Sequence, residues 1–424
     1  MRTLLSLGLM IAAAGIAGGA GESGGRPRLR DLGASPGVLP PGPLNAITDV
    51  AGVRVGHRTL VRGDGVRTGV TAILPHGGDP FREKVPAAVW VINGFGKAAG
   101  FLQVRELGQL ESPIVLTNTL AVGTAVEAVV RWTLARPGNE EVRSVNALVG
   151  ETNDGWLNDI RALPVTGADV AASIEAAQGG PVEEGSVGAG TGTRALGWKG
   201  GIGTASRRLP ERLGGWTVGA LVQTNFGGIL RIDGVPVGEA LGRYSFREEL
   251  AEAPPSESAA GAGAPDGAER GDGSCMVVLA TDAPLSSRNL ERLASRSALA
   301  LGRVGSFVSD GSGDFVIAFS TAERIPYGGP PVRTVERLAN DAMSPLFLAA
   351  VEAVEEAIYN SLLRATTVTG HQGRTVEAIP VEPLRKLLGS SGRASSFRPP
   401  SETPVPPTPP LPAPSSARRT RAGP

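Results

Sequence analysis

Short apolar runs ending in Asn, Thr or Gly recur along the first half of the chain. They are AAVWVING (Ala87–Gly94), SPIVLTNT (Ser112–Thr119), SVNALVGET (Ser144–Thr152) and GWTVGALVQTN (Gly215–Asn225). Their length and their Val, Ile and Leu content predict strands. Polar residues do not alternate within them, so both faces of each strand are expected to be covered. Two more strands are read at Met276–Ala280 and Phe315–Phe319. Apolar residues at three- and four-residue spacing predict helices over Leu120–Ala135 and Ala168–Gln178. Ser286 is an N-cap residue type, and Ser287–Val304 follows it as an amphipathic helix. The longest helical stretch, Arg333–Ala365, contains Pro345, which is expected to divide it in two. Strands alternating with helices place the chain in the α/β (α+β) class.

Composition narrows the partners. The chain has 424 residues, 41% of them hydrophobic, enough for a sizeable core. Lys plus Arg and Asp plus Glu balance at 41 each, which gives no electrostatic case for nucleic acid or an anionic membrane. A single Cys excludes an intrachain disulfide or a thiolate zinc cluster, and His57, His76 and His371 lack metal-ligand spacing. No metal or cofactor is expected. The N-terminal MRTLLSLGLMIAAAGIAGGA has a basic start, an apolar run and small residues up to Ala20. It reads as a signal peptide over residues 1–20, so the mature protein is expected to be exported, periplasmic or secreted, and free of membrane.

Two segments carry almost no large apolar residue. Residues 252–273 read as a flexible linker, and 390–424 as a Pro-rich disordered tail. The linker ends at GDGSCMVVLATDAPL (Gly271–Leu285), where a turn runs straight into a buried strand. This is either an ordinary Gly-Ser turn or a point of chain cleavage. Gly273 tolerates unusual backbone angles, so its carbonyl could be held open to the Ser274 hydroxyl. An N-to-O acyl shift and hydrolysis would then free the Ser274 amine. That amine, with an unperturbed pKa of about 7.7–8.0, is suited to act as general base for its own hydroxyl. Cys275 lies one residue further, so its side chain faces the other side of the strand and reads as core.

Motifs along the chain sharpen this reading. In order they are PGPLNAITDVAGVRVGH (Pro41–His57), VINGFGKAAG (Val91–Gly100), TNTLAVGTA (Thr117–Ala125) and GETNDGWLNDI (Gly150–Ile160). GSVGAGTGT (Gly185–Thr193), VQTNFGG (Val222–Gly228), DGSCMVVLATDAPL and DGSGDFVIAFST (Asp310–Thr321) follow. Together they resemble the DmpA-type L-aminopeptidase/D-amidase/esterase and β-peptidyl aminopeptidase family of self-cleaving serine hydrolases, over roughly Arg28 to Pro380. The resemblance implies an αββα sandwich similar to that of N-terminal nucleophile (Ntn) hydrolases, with DmpA-type connectivity. It implies one catalytic domain cut into an α-chain part, 21–251 with the linker after it, and a β-chain part, 274–389. The two parts would stay associated and assemble as a homo-oligomer of αβ heterodimers.

Carried over residue by residue, the resemblance makes Gly273-Ser274 the scissile bond and Ser274 the nucleophile. It makes Asn225 the oxyanion-hole residue, and Ser312 with Asp314 the pair that organises the Ser274 amine. Asn153, Asp154 and Trp156 are candidate substrate-binding residues. Some members carry a Tyr in this region, where this chain has Asn153 and Trp156, so a Tyr contact to the oxyanion is not expected. The implied activity is removal of N-terminal L-, D- or β-amino acids from small peptides, amides or esters through an acyl-enzyme on Ser274. Two alternatives stand beside it. One is an acyltransferase like the ornithine acetyltransferases, which use Thr at the new N-terminus. The other is a non-catalytic exported binding protein on the same scaffold.

Overall fold

The computed structural model describes residues 25–250 and 273–390. The expected signal peptide, the expected linker up to residue 272 and the expected tail beyond residue 390 lie outside the described residues. The described residues build two sheets. The first holds β1 (Arg54–Arg62), β2 (Val66–Leu74), β4 (Ile114–Asn118) and β5 (Leu148–Thr152), in that spatial order. The second has β3 (Glu83–Gly94), β9 (Gly313–Ser320), β8 (Ser274–Thr281), β7 (Thr217–Asn225) and β6 (Ile202–Arg208) side by side, with short strands added on β3. Neighbours are antiparallel except β4 with β5 and β8 with β9.

Three clusters of buried side chains fix the layering. Ile73, Ile114, Leu116 and Leu148 of the first sheet pack against Val89, Met276, Val278 and Ile317 of the second. The short helix α1 (Phe101–Leu107) contacts β3. The outer face of the first sheet, with Val70, Val115 and Val149, is covered by α2 (Val122–Leu134) and α3 (Gly167–Glu175). The outer face of the second sheet is covered by α4 (Ser287–Ala294), α5 (Ser297–Val304) and α6 (Ser344–Arg364). Helices, sheet, sheet, helices is the αββα sandwich expected from the motifs. Both faces of β7, β8 and β9 are buried along their whole length, as their unbroken apolar runs require.

Several elements differ from the sequence reading. Helix α6 begins at Ser344, with Pro345 in its first turn, where a missing N–H costs no helical hydrogen bond. Pro345 therefore opens a single helix and does not divide one. Upstream, Val332 and Val335 are exposed, so the apolar spacing there meets no surface that could stabilise a helix. The helix expected over Ser287–Val304 breaks between Ala294 and Ser297. Strands β1, β2 and β6 were not anticipated.

Candidate active site

Ser274 opens β8, in register with Asn225 at the end of β7 and with Gly313 at the start of β9. All three sit at one rim of the second sheet. The Ser274 hydroxyl donates to the Gly273 carbonyl at 2.7 Å, and the same carbonyl accepts the Gly313 N–H at 2.9 Å. The nucleophile candidate thus touches the carbonyl group it would attack. Gly273 is needed for space and not for unusual backbone angles, because its φ lies outside the left-handed region. A Cβ on it would stand 2.0 Å from the Asn225 carbonyl oxygen and 2.7 Å from Phe226 Cα, closer than a side chain can come.

The Asn225 amide is oriented by two bonds. Its Oδ1 accepts from the Arg194 N–H at 3.1 Å, and its Nδ2 donates to the Asn153 carbonyl at 2.9 Å. One Nδ2 hydrogen is thereby used, and an amide nitrogen carries two.

On β9, Asp314 pairs in register with Cys275, one residue beyond the Ser274–Gly313 pair. Burial pushes the Asp314 carboxyl up to about 6, opposed by hydrogen bonds from the Ser312 side chain and the Cys275 N–H. Its Oδ2 is buried with no hydrogen-bond partner among the described residues. Ser312 and Asp314 therefore come together, within one residue of Ser274. Cys275 is fully buried in the helix-side core beside Val277, and burial and then the Asp314 charge raise its thiol well above the usual value. It is core, as alternation along the strand requires.

The segment from Glu151 to Trp156 crosses this rim. Glu151 Oε1 accepts the Lys97 N–H at 2.9 Å, and a Cβ on Gly96 would lie 2.8 Å from the same oxygen and 2.9 Å from the Phe315 ring. Glu151 is therefore on the Gly313 side of Ser274. Burial raises its carboxyl, against the Lys97 N–H and ammonium. Asn153 is exposed, with its Oδ1 turned back onto the Gly155 N–H, and its carbonyl holds Asn225. The guanidinium groups of Arg194 and Arg374 lie over the Trp156 ring, at 4.4 Å and 4.3 Å from its centre. Trp156 walls a cleft of about 400 Å³ that Phe226 also lines.

Asp154 is closed off from solvent and bonded to Asn158 Nδ2 at 3.0 Å. It forms a buried electrostatic pair with Lys199. Burial pushes Asp154 up to about 7 and Lys199 down to about 7, and each is pulled back by the other's charge. The Lys199 ammonium donates to the carbonyls of Gly190 and Gly200, both at 2.8 Å. Those two contacts close the loop that carries Arg194 to Asn225. Sequence reasoning passed over Glu151, Lys199, Arg194 and Arg374. Glu151 stood inside a quoted motif, whereas a lone Lys in a Gly-rich loop gives no signal of burial.

Residues 45–376 match the model of peptidase family S58. A β-peptidyl aminopeptidase BapA of Sphingosinicella microcystinivorans is 43% identical, the match covering 90% of this chain and 96% of that protein. A Burkholderia sp. β-aminopeptidase structure is 42% identical with a TM-score of 0.74, covering 88% of this chain and 100% of its own. The L-aminopeptidase D-Ala-esterase/amidase from Ochrobactrum anthropi, described as a variant of the Ntn hydrolase fold, is 39% identical with a TM-score of 0.75. That match covers 87% of this chain and 100% of the other. The chain belongs to peptidase family S58 and is a hydrolase on this variant of the Ntn fold.

Proposed function

We propose that the protein is a self-processing serine aminopeptidase that releases N-terminal residues, β-amino acids among them, from short peptides and amides. The observation that carries this is the 2.7 Å contact between the Ser274 hydroxyl and the Gly273 carbonyl, at the head of a strand registered with Asn225. In processing, Ser274 Oγ bonds to the Gly273 carbonyl carbon and its proton passes to the Ser274 nitrogen. The Gly273–Ser274 C–N bond breaks, and water hydrolyses the resulting ester to a Gly273 carboxylate and a free Ser274 amine. In turnover that amine takes the Oγ proton as Oγ attacks the substrate carbonyl, then returns it to the leaving amine. The second Nδ2 hydrogen of Asn225 stabilises the oxyanion, a contribution typically worth about 2.7–4 kcal/mol. Asp314, steadied by Ser312, is the counter-charge to the Ser274 ammonium. Glu151 is the carboxylate for the substrate's own ammonium.

The names of the relatives support a β-peptidyl substrate, and the apolar N-terminal run supports export to the periplasm or beyond. Among the described residues, no helix is long and apolar enough to cross a membrane. Assembly as a homo-oligomer of αβ heterodimers completes the reading. A denaturing gel with mass spectrometry tests it. The expected result is two fragments, the second beginning at Ser274, and a single chain without peptidase activity for Ser274→Ala. A fresh wild-type chain that is intact yet hydrolyses β-alanyl anilides would overturn it.

A further inference from the structure

The layer between the two sheets is apolar, with Leu116, Leu148, Met276 and Val278 among its members. Gln223, paired with Met276 in the β7–β8 register and fully buried, brings an amide into it. It stands two residues before Asn225, so both side chains leave the same face of β7. Its Nε2 donates to Thr152 Oγ1 at 2.8 Å, the Ala189 carbonyl at 3.0 Å and the Thr117 carbonyl at 3.2 Å. An amide nitrogen has two hydrogens, so one of them is shared. Turned over, the amide would set its oxygen against two carbonyl oxygens, which fixes its orientation. Its Oε1 is then buried with no hydrogen-bond partner among the described residues. An unmet buried acceptor is a cost that Met at this position would not carry. Such a locally unfavourable residue is expected where function requires it.

What Gln223 grips points to that function. In the β4–β5 ladder Thr117 is paired with Glu151, and Thr152 follows Glu151 in the chain. Gln223 therefore holds Glu151 from two sides, through its ladder partner and through its chain neighbour. Gly150, on the other side of Glu151, lies against β8. A Cβ on it would stand 2.3 Å from Met276 Cε. The end of β5 is thus pinned to β7 and β8 at positions two residues from Asn225 and Ser274. Asn225 has a separate hold through the Arg194 N–H, which does not pass through Gln223.

We propose that Gln223 is a positioning residue that fixes Glu151 at one distance from Ser274, and so makes cleavage depend on an amino group at the matching distance from the scissile carbonyl. This rests on the aminopeptidase reading, in which Glu151 takes the substrate's ammonium. Gln223 touches neither substrate nor nucleophile. It acts through the end of β5, and without it the ammonium and the carbonyl of one substrate are no longer both met.

The test compares the p-nitrophenyl esters of β-alanine and propionic acid, which differ only in the ammonium, on the self-cleaved enzyme. Wild type should favour the β-alanyl ester by about a hundredfold or more in kcat/KM. In Gln223→Met that ratio should fall by about tenfold or more, because small misplacements of a binding group are costly. The propionyl ester, blind to Glu151, should keep its rate to within about threefold. Thr152→Val removes one acceptor and keeps the shape, and should lose part of the ratio. Thr152→Ser keeps the hydroxyl and should retain it. An unchanged ratio in Gln223→Met, or equal losses on both esters, overturns the proposal and leaves the aminopeptidase reading standing. Should Gln223→Met not cleave itself, the Thr152 variants decide, and equal ratios in the two overturn the proposal. A wild-type ratio near one would sink the reading of Glu151, and the proposal with it.

Discussion

Among the described residues, two groups of buried ionisable side chains are solved in opposite ways. The first joins β6 to α6. Arg207 is fully buried and meets Glu352 at 3.0 Å and Glu356 at 2.8 Å, while Arg30 grips Glu356 with two bonds of 2.8 Å. Asn45 and the N–H groups of Val38 and Leu39 fill the remaining carboxylate positions. Burial alone would raise Glu356, yet the Arg207 charge and the bonds from Arg30 and Asn45 pull it below the ordinary carboxylate value. The second group lies at and behind the rim. Asp314, Asp154 and Lys199 are buried with few partners, and burial drives all three toward neutrality. Compensated charges hold elements in place, whereas under-compensated charges respond to a proton or a ligand. Only the second kind sits beside Ser274.

The largest effect on stability should come from the first group. Arg207→Met leaves Glu352 and Glu356 buried without their shared cation, which typically costs about 3–5 kcal/mol. Because β6 precedes the Gly273–Ser274 bond and α6 follows it, this network also ties the two prospective fragments together. Denaturant unfolding of an uncut Ser274→Ala chain, with and without Arg207→Met, measures the loss. A change below about 1 kcal/mol would remove the contrast between the groups.

This contrast was only partly legible in the sequence. The long apolar runs predict β7, β8 and β9. Asn225 and the Ser312–Asp314 pair come instead from the resemblance carried over residue by residue, and Ser274 from the linker–strand junction together with that resemblance. Strand β1 was hidden because Arg58 and Thr59 leave it a half-exposed edge with no run to read. Strand β6 was hidden for the opposite reason. Its small residues let α6 lie directly on it, and a Cβ on Gly203 would stand 1.9 Å from the Ala357 carbonyl oxygen. Arg207, Lys199 and Arg374 share one obstacle. A lone cation reads as solvated until the fold shows which distant carbonyls, carboxylates or rings surround it.

A smaller effect is expected for the pair behind the rim. Lys199→Met removes the ammonium that closes the loop between Gly190 and Gly200, and leaves Asp154 as a buried acid with the Thr68 and Asn158 side chains as partners. Protonation relieves Asp154, so the cost at pH 7 should be about 2 kcal/mol, less than for Arg207→Met. A folded-state pKa above the unfolded value means stability is full at low pH and lost as pH rises through the folded value. With Lys199 gone Asp154 is the group that titrates, so the variant should lose further stability above about pH 7. Adding Asp154→Asn should remove that slope. Melts from pH 5 to 9 that stay parallel to wild type would show that the pair does not couple.

The smallest and most diagnostic effect concerns Asp314. In the cleaved enzyme its carboxylate would face a Ser274 ammonium, and an opposite charge nearby raises an amine's pKa by about 1–3 units. Asp314→Asn removes that charge, so the amine's pKa should fall. The acid limb of kcat/KM reports deprotonation of the free enzyme's base, so it should move to lower pH by about one unit. The plateau should drop at the same time, because the ammonium formed in the transition state has lost its counter-charge. A purely structural role would lower the plateau and leave the limb in place. A limb that moves to higher pH would mean that Asp314 acts on some group other than the amine. Only the paired result, lower plateau and lower limb, fits a carboxylate whose burial is compensated when cleavage gives it a cation to hold.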